Sequence, residues 1–308
     1  MPAAIDEILA RLQRDHDSDL PGAAEALRSI APGAVPREET ARYTWLVNHV
    51  IGEKLGSWQE VQAIYGRMPH ALDELPAPAL RNLAAAASLA GDARAARLAI
   101  ASLGRAAGVE EPKAVLVAQM ATLMYGMPTI AKDEAAEEFV RLCHAALEWS
   151  GASGADALVA GMANNMVSAW LEMPPGSARS LGIRRAMEVG ALASRHFWQR
   201  AGTPIQKARA DYLVAMTMNR IGKPGEARAH ALAAFATLGQ GGTDPVDRAF
   251  IGLELAHAEL CLGSATAAAA ARREAEGLAA AFSEESTRQW FADTAAKLEA
   301  SRHGGAGL

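Results

Sequence analysis

Residues 80–103, LRNLAAAASLAGDARAARLAIASL, decide the fold. Leu80, Leu83, Ala84 and Ala87 recur at three- and four-residue spacing, Gly91 and Asp92 interrupt, and Ala96, Ile100 and Leu103 resume the same spacing. That is a helical period on both sides of a turn, so the stretch predicts two helices joined by Gly-Asp. Just upstream, residues 54–68, KLGSWQEVQAIYGRM, repeat the pattern with Gly56, Trp58, Glu60, Val61 and Tyr65. Gly56, Gly91 and Gly126 close three successive first helices at a spacing of 35 residues, which is the period of a stacked helix pair. The pattern returns at 212–235, YLVAMTMNRIGKPGEARAHALAAF, around Gly222, and at 253–271, LELAHAELCLGSATAAAAA, around Gly263. Small residues at the closest approach let paired helices pack tightly, while Trp, Tyr and Leu fill the grooves between neighbouring pairs.

Extended over the chain, the same punctuation predicts an all-α protein of about fifteen helices, among them 39–55, 177–200, 204–221 and 265–282, with no strand. The quoted segments resemble tetratricopeptide repeats in divergent form. The resemblance implies an α-solenoid of antiparallel pairs over residues 37–284, with an N-terminal helix pair at 1–36. A capping helix at 285–301 and a flexible tail at 302–308 complete the chain. Two elongated pairs between Gly126 and Gly222 predict a bend or closure at the 127–132 and 173–177 loops. Met120, Met124 and Met127, with Met162, Met166 and Met173, read as filler of an irregular core, with the lining of an apolar pocket as the alternative.

Composition narrows the chemistry. Of 308 residues, 50% are hydrophobic and 21% charged, with a net charge of −5, so there is no basic field to hold nucleic acid. Cys143 and Cys261 lie far apart in apolar stretches, which argues against a disulfide framework and for a reducing, cytoplasmic setting. Asp6 and Glu7 break the opening segment, so it does not read as a signal peptide, and the uncharged run 114–131 is too interrupted for a membrane span. Phosphate-binding glycine loops, zinc-protease and nucleophile-elbow patterns are absent from the sequence. A solitary Glu254-x-x-His257 lacks the partners of a dinuclear site, so neither metal nor cofactor is expected.

The five asparagines, Asn48, Asn82, Asn164, Asn165 and Asn219, all fall in first helices and none in a loop. In the family that the chain resembles, first helices line the concave groove and asparagine amides bond an extended peptide. The resemblance therefore implies a ligand-binding groove containing Asn48, Arg81, Asn82, Asn165 and Asn219, the alternative being that these amides bridge helix backbones or end a helix. Arg209, Tyr212, Met216, Asn219 and Arg220 form a second stripe at helical spacing, suited to an acidic or amphipathic ligand, and Glu254 and His257 share the next face. The expected function is a non-enzymatic interaction module for a peptide, a protein segment or a small ligand. The alternative is a small-molecule enzyme or sensor with an enclosed pocket, using His49 with Glu53 or Tyr212 with His257. A homodimer formed through exposed Trp and Met patches is a third expectation.

Overall fold

The structure, a computed structural model, describes residues 5–173, 180–241 and 245–304. Among them the chain forms fifteen α-helices and no strand, in two units, Met1–Met162 and Ala163–Leu308, whose boundary falls inside α9 (Asp156–Glu172). The first unit holds α1 (Ile5–Asp15), α2 (Leu20–Ser29), α3 (Thr40–Leu46), α4 (Trp58–Tyr65), α5 (Ala77–Leu89), α6 (Ala93–Ala107), α7 (Glu111–Gly126) and α8 (Lys132–Leu147). The second holds α10 (Leu181–Ala201), α11 (Pro204–Arg220), α12 (Pro224–Gly241), α13 (Pro245–Cys261), α14 (Ala265–Ala279) and α15 (Glu285–Gly304). In each unit a first helix packs on its own partner and on the next first helix: α5 touches α6, α3 and α7, while α13 touches α14, α11 and α15. Pairs therefore stack in sequence order, which is how amphipathic helices too short to bury a core alone reach stability. No described helix is long and apolar enough to cross a membrane.

The turns within pairs follow from glycine's freedom. Gly91, Gly222 and Gly263 adopt φ of +77°, +81° and +82°. The next residue in each case donates its N–H five residues back, Asp92 to Ala87, Lys223 to Met218 and Ser264 to Glu259, at 2.8–2.9 Å. This left-handed cap satisfies carbonyls that the helix end leaves open. Gly126 does not belong to this set, because its φ is −84° and a Cβ there would stand 3.3 Å from Leu89 Cδ2. The 35-residue spacing holds at Gly126 for the helix end, but the glycine serves close packing of α7 on α5.

The first helix of the earliest pair departs from the expected regular helix over 39–55. After α3 the chain continues as a π-helix, Val47–Lys54, and Ser57 N–H reaches six residues back to the Ile51 carbonyl at 3.0 Å. Gly52 lets the Trp58 ring lie against the backbone, since a Cβ would stand 2.3 Å from that ring. Around this segment Leu9, Leu27, Tyr43, Leu46, Val50 and Ile51 belong to one buried core cluster of the first unit. In the second unit Phe291 of α15 closes on Phe250 and Phe282, with ring centroids 5.6 and 6.1 Å away. The expected capping helix thus runs on to Gly304, beyond the expected start of the tail. Residues 305–308 of that tail, and the 174–177 part of the expected bend, lie outside the described residues.

Candidate functional site

The inner helices of the first unit meet in a polar hub. Asn48 Nδ2 donates to the Asn82 carbonyl at 2.9 Å, and its Oδ1 accepts from the Tyr65 hydroxyl at 2.6 Å. Asn82 Nδ2 donates to Thr44 Oγ1 at 3.0 Å, while its Oδ1 accepts from the Tyr125 hydroxyl at 3.1 Å and from Arg81 Nε and Nη2 at 3.1 and 2.8 Å. Both asparagines are 0% exposed. A buried amide with every group bonded to protein has nothing left for a peptide, so the expectation of Asn48 and Asn82 as groove-lining amides is corrected. They tie α3, the π-helix, α5 and α7 together. Tyr65 and Tyr125 complete the hub without any local signal in the sequence, because they stand 17 and 43 residues from their partners.

Arg81 is different. It is half-buried, its hydrogen bonds go to Asn82 Oδ1, and no carboxylate oxygen lies within 4.0 Å of it among the described residues. Desolvation lowers its pKa from the ordinary arginine value, the physical mark of a cation held away from water without a counter-charge. Tyr125 beside it is pushed up to about 12 by burial and stays a neutral donor.

Beside the hub, His49 Nδ1 and Glu53 Oε2 meet at 2.6 Å, as the one-turn spacing implied. The π-helix brings His49 against Trp45, stacked at 5.3 Å, and against His16 of the α1–α2 turn, 5.0 Å away. His16 is a neighbour that the sequence reading missed, since 33 residues separate it from His49.

In the second unit the expected stripe is spent on internal partners. Arg209 pairs with Asp247 at 3.0 Å, and Arg220 Nη2 donates to the carbonyls of Leu171 and Met173 at 3.3 and 2.6 Å. Asn219 Nδ2 donates to the backbone and the carboxylate of Glu254 at 3.0 and 2.7 Å. Tyr212 and Met216 are half-buried, and no hydrogen bond joins Tyr212 to His257 among the described residues. Asn165 is exposed, with Oδ1 accepting from Asn164 at 3.4 Å. Asp211 carries no signal in the sequence, yet it is 2% exposed and its carboxylate accepts from Arg195 at 2.6 Å and meets His230 Nδ1 at 2.8 Å.

Glu254 is 4% exposed, and burial raises its pKa from 4.5 to about 7, against the opposing Asn219 bond. A raised carboxyl binds its proton more tightly in the folded state, so stability falls as pH rises from about 4.5 to about 7 and then levels. Glu254→Gln removes that penalty and offers an amide N–H to Asn219 Oδ1, which is buried without a partner. At roughly 1.4 kcal/mol per pK unit, the variant should be more stable by about 2–3 kcal/mol at pH 8 and close to the parent at pH 4.5. Urea unfolding at the two pH values checks this, and an equal shift at both would show that the effect is not the carboxyl charge.

Between α13, α14 and α15 lies a cavity of about 230 Å³ lined by Leu253, His257, Leu260, Ala268 and Leu298. Burial lowers the pKa of His257, which favours its neutral form. Neither a scan against models of protein families nor a search of curated proteins found a match to the chain.

Proposed function

We propose that this chain is a non-enzymatic, tetratricopeptide-like binding module whose first unit captures a carboxylate of a peptide or protein segment on Arg81. The observation that carries the reading is the half-buried guanidinium bonded only to neutral groups. A desolvated cation without a counter-ion is costly, and a ligand carboxylate can restore the balance through paired charge-assisted hydrogen bonds. Asn82 and Tyr125 would then hold the guanidinium in place, which gives the buried amide a positioning role in place of the direct contact first expected.

Acidic peptides with free C-termini should bind the full chain better than their amidated, uncharged counterparts in fluorescence polarisation. Arg81→Met should weaken binding by about 2–3 kcal/mol with little change in melting temperature, and Arg81→Lys should fall between, because ammonium lacks the planar fork. Equal affinity for neutral peptides, or full affinity in Arg81→Met, would rule the reading out. The cavity beside His257 favours a second reading for the other unit, a receptor for a small, predominantly apolar molecule.

A further inference from the structure

The α1–α2 turn and the π-helix bring together side chains that do not resemble a core contact. His16 Nδ1 stands 3.0 and 3.1 Å from the carbonyls of Leu12 and Gln13, at the C-terminal end of α1. Carbonyls only accept, so Nδ1 carries the proton and, in the neutral ring, Nε2 presents a lone pair. That lone pair faces Asp17 Oδ2 at 3.6 Å. With the ring neutral, two acceptors face each other there, an arrangement that a cation completes. His49 supplies the third group. Its Nδ1 meets Glu53 Oε2 at 2.6 Å, a carboxylate that orients the ring and leaves Nε2 free, as carboxylates behind metal-bound histidines do. One ligand atom from each of His16, Asp17 and His49 lies within 4.8 Å of the others.

We propose that His16, Asp17 and His49 bind one divalent transition-metal ion of the zinc class, with water completing the coordination. Two imidazoles and a carboxylate suit that class and not magnesium or calcium, which prefer all-oxygen sites. Ligand atoms around a tetrahedral zinc stand about 3.3 Å apart, given bonds of about 2.0–2.1 Å. The contraction needed falls on Asp17, whose side chain is 70% exposed, while His16 is 7% exposed and clamped on the helix end and His49 is stacked on Trp45. Lys54 Nζ, 3.3 Å from Asp17 Oδ1, is the resident competitor for that carboxylate. The sequence expectation of no metal is revised here, because a ligand set split between positions 16–17 and 49 matches no short spacing motif.

The test uses the untagged full-length chain, stripped with chelator and titrated with zinc chloride at pH 7.5 by calorimetry. One equivalent should bind with micromolar or tighter affinity. Asp17→Ala, an exposed change that leaves folding intact, should weaken binding at least tenfold, and His49→Gln more strongly. Lys54→Gln should tighten it severalfold by removing the competing ammonium, a gain that a merely structural cluster would not show. Glu53→Gln should weaken it about tenfold through loss of His49 orientation. The proposal is overturned if no saturable binding is seen below 1 mM, or if Asp17→Ala and His49→Gln bind zinc as the parent does. It shares no residue with the Arg81 reading, so either can fail alone.

Discussion

Asn82→Ala is expected to lower the unfolding free energy by about 4 kcal/mol. The substitution deletes one acceptor used by three donors, the Tyr125 hydroxyl and two nitrogens of Arg81, and one donor used by Thr44. Each buried polar group left without a partner costs about 1–3 kcal/mol, and Asn82 is 0% exposed, so water does not readily take the place of its amide. Asn82→Asp keeps the acceptor and should lose only about 1–2 kcal/mol. It also gives Arg81 a counter-charge, so it should abolish capture of acidic peptides in a protein that still folds. Denaturant midpoints for both variants, read beside peptide affinity, separate stability from binding. An Asn82→Ala midpoint within about 0.5 kcal/mol of the parent would show that the hub does not hold these helices together.

Gly154→Ala should cost about 3–4 kcal/mol for a different reason. A Cβ at 154 would stand 2.2 Å from the Ala107 carbonyl oxygen and 3.0 Å from its carbon. The obstacle is backbone at the last turn of α6, itself fixed by Gly108 at φ +62° and by the Val109 bond to Gly104 at 2.9 Å. No rotamer change relieves the overlap, so either the loop before α9 or the end of α6 must move. Gly151→Ala, at φ +70° with open space around it, is the control and should lose only about 1–2 kcal/mol of backbone preference. Thermal and denaturant unfolding of the pair checks the contrast, and comparable losses at the two positions would contradict it.

What could be read in the sequence were features set by near neighbours in the chain. Pro204 after Thr203, Pro224 after Gly222 and Gly91 before Asp92 each place a helix boundary through local backbone chemistry, and the observed ends agree within a few residues. The π-helix was not legible, since no propensity encodes it, and neither was the Trp58 ring lying over Gly52 within it. Nor was the direction of the asparagine amides. Their place in first helices was readable, yet whether Asn82 turns outward or toward Thr44 is decided by a helix 38 residues away. His16 and His49 were each visible, and only folding makes them neighbours.

The stacking of each first helix on its own partner and the next first helix has a consequence for how the chain is made. Within each unit, contacts join elements close along the chain, so ordering them closes only short loops and carries little entropy cost. A pair can therefore settle soon after it leaves the ribosome, with α5 and α6 already joined through the Gly91 turn before α7 arrives to cover them. The hub at Asn82 completes last, when Tyr125 of α7 delivers its hydroxyl. The order of synthesis and the order of assembly then coincide, and partly made chains expose one uncovered helix pair at a time.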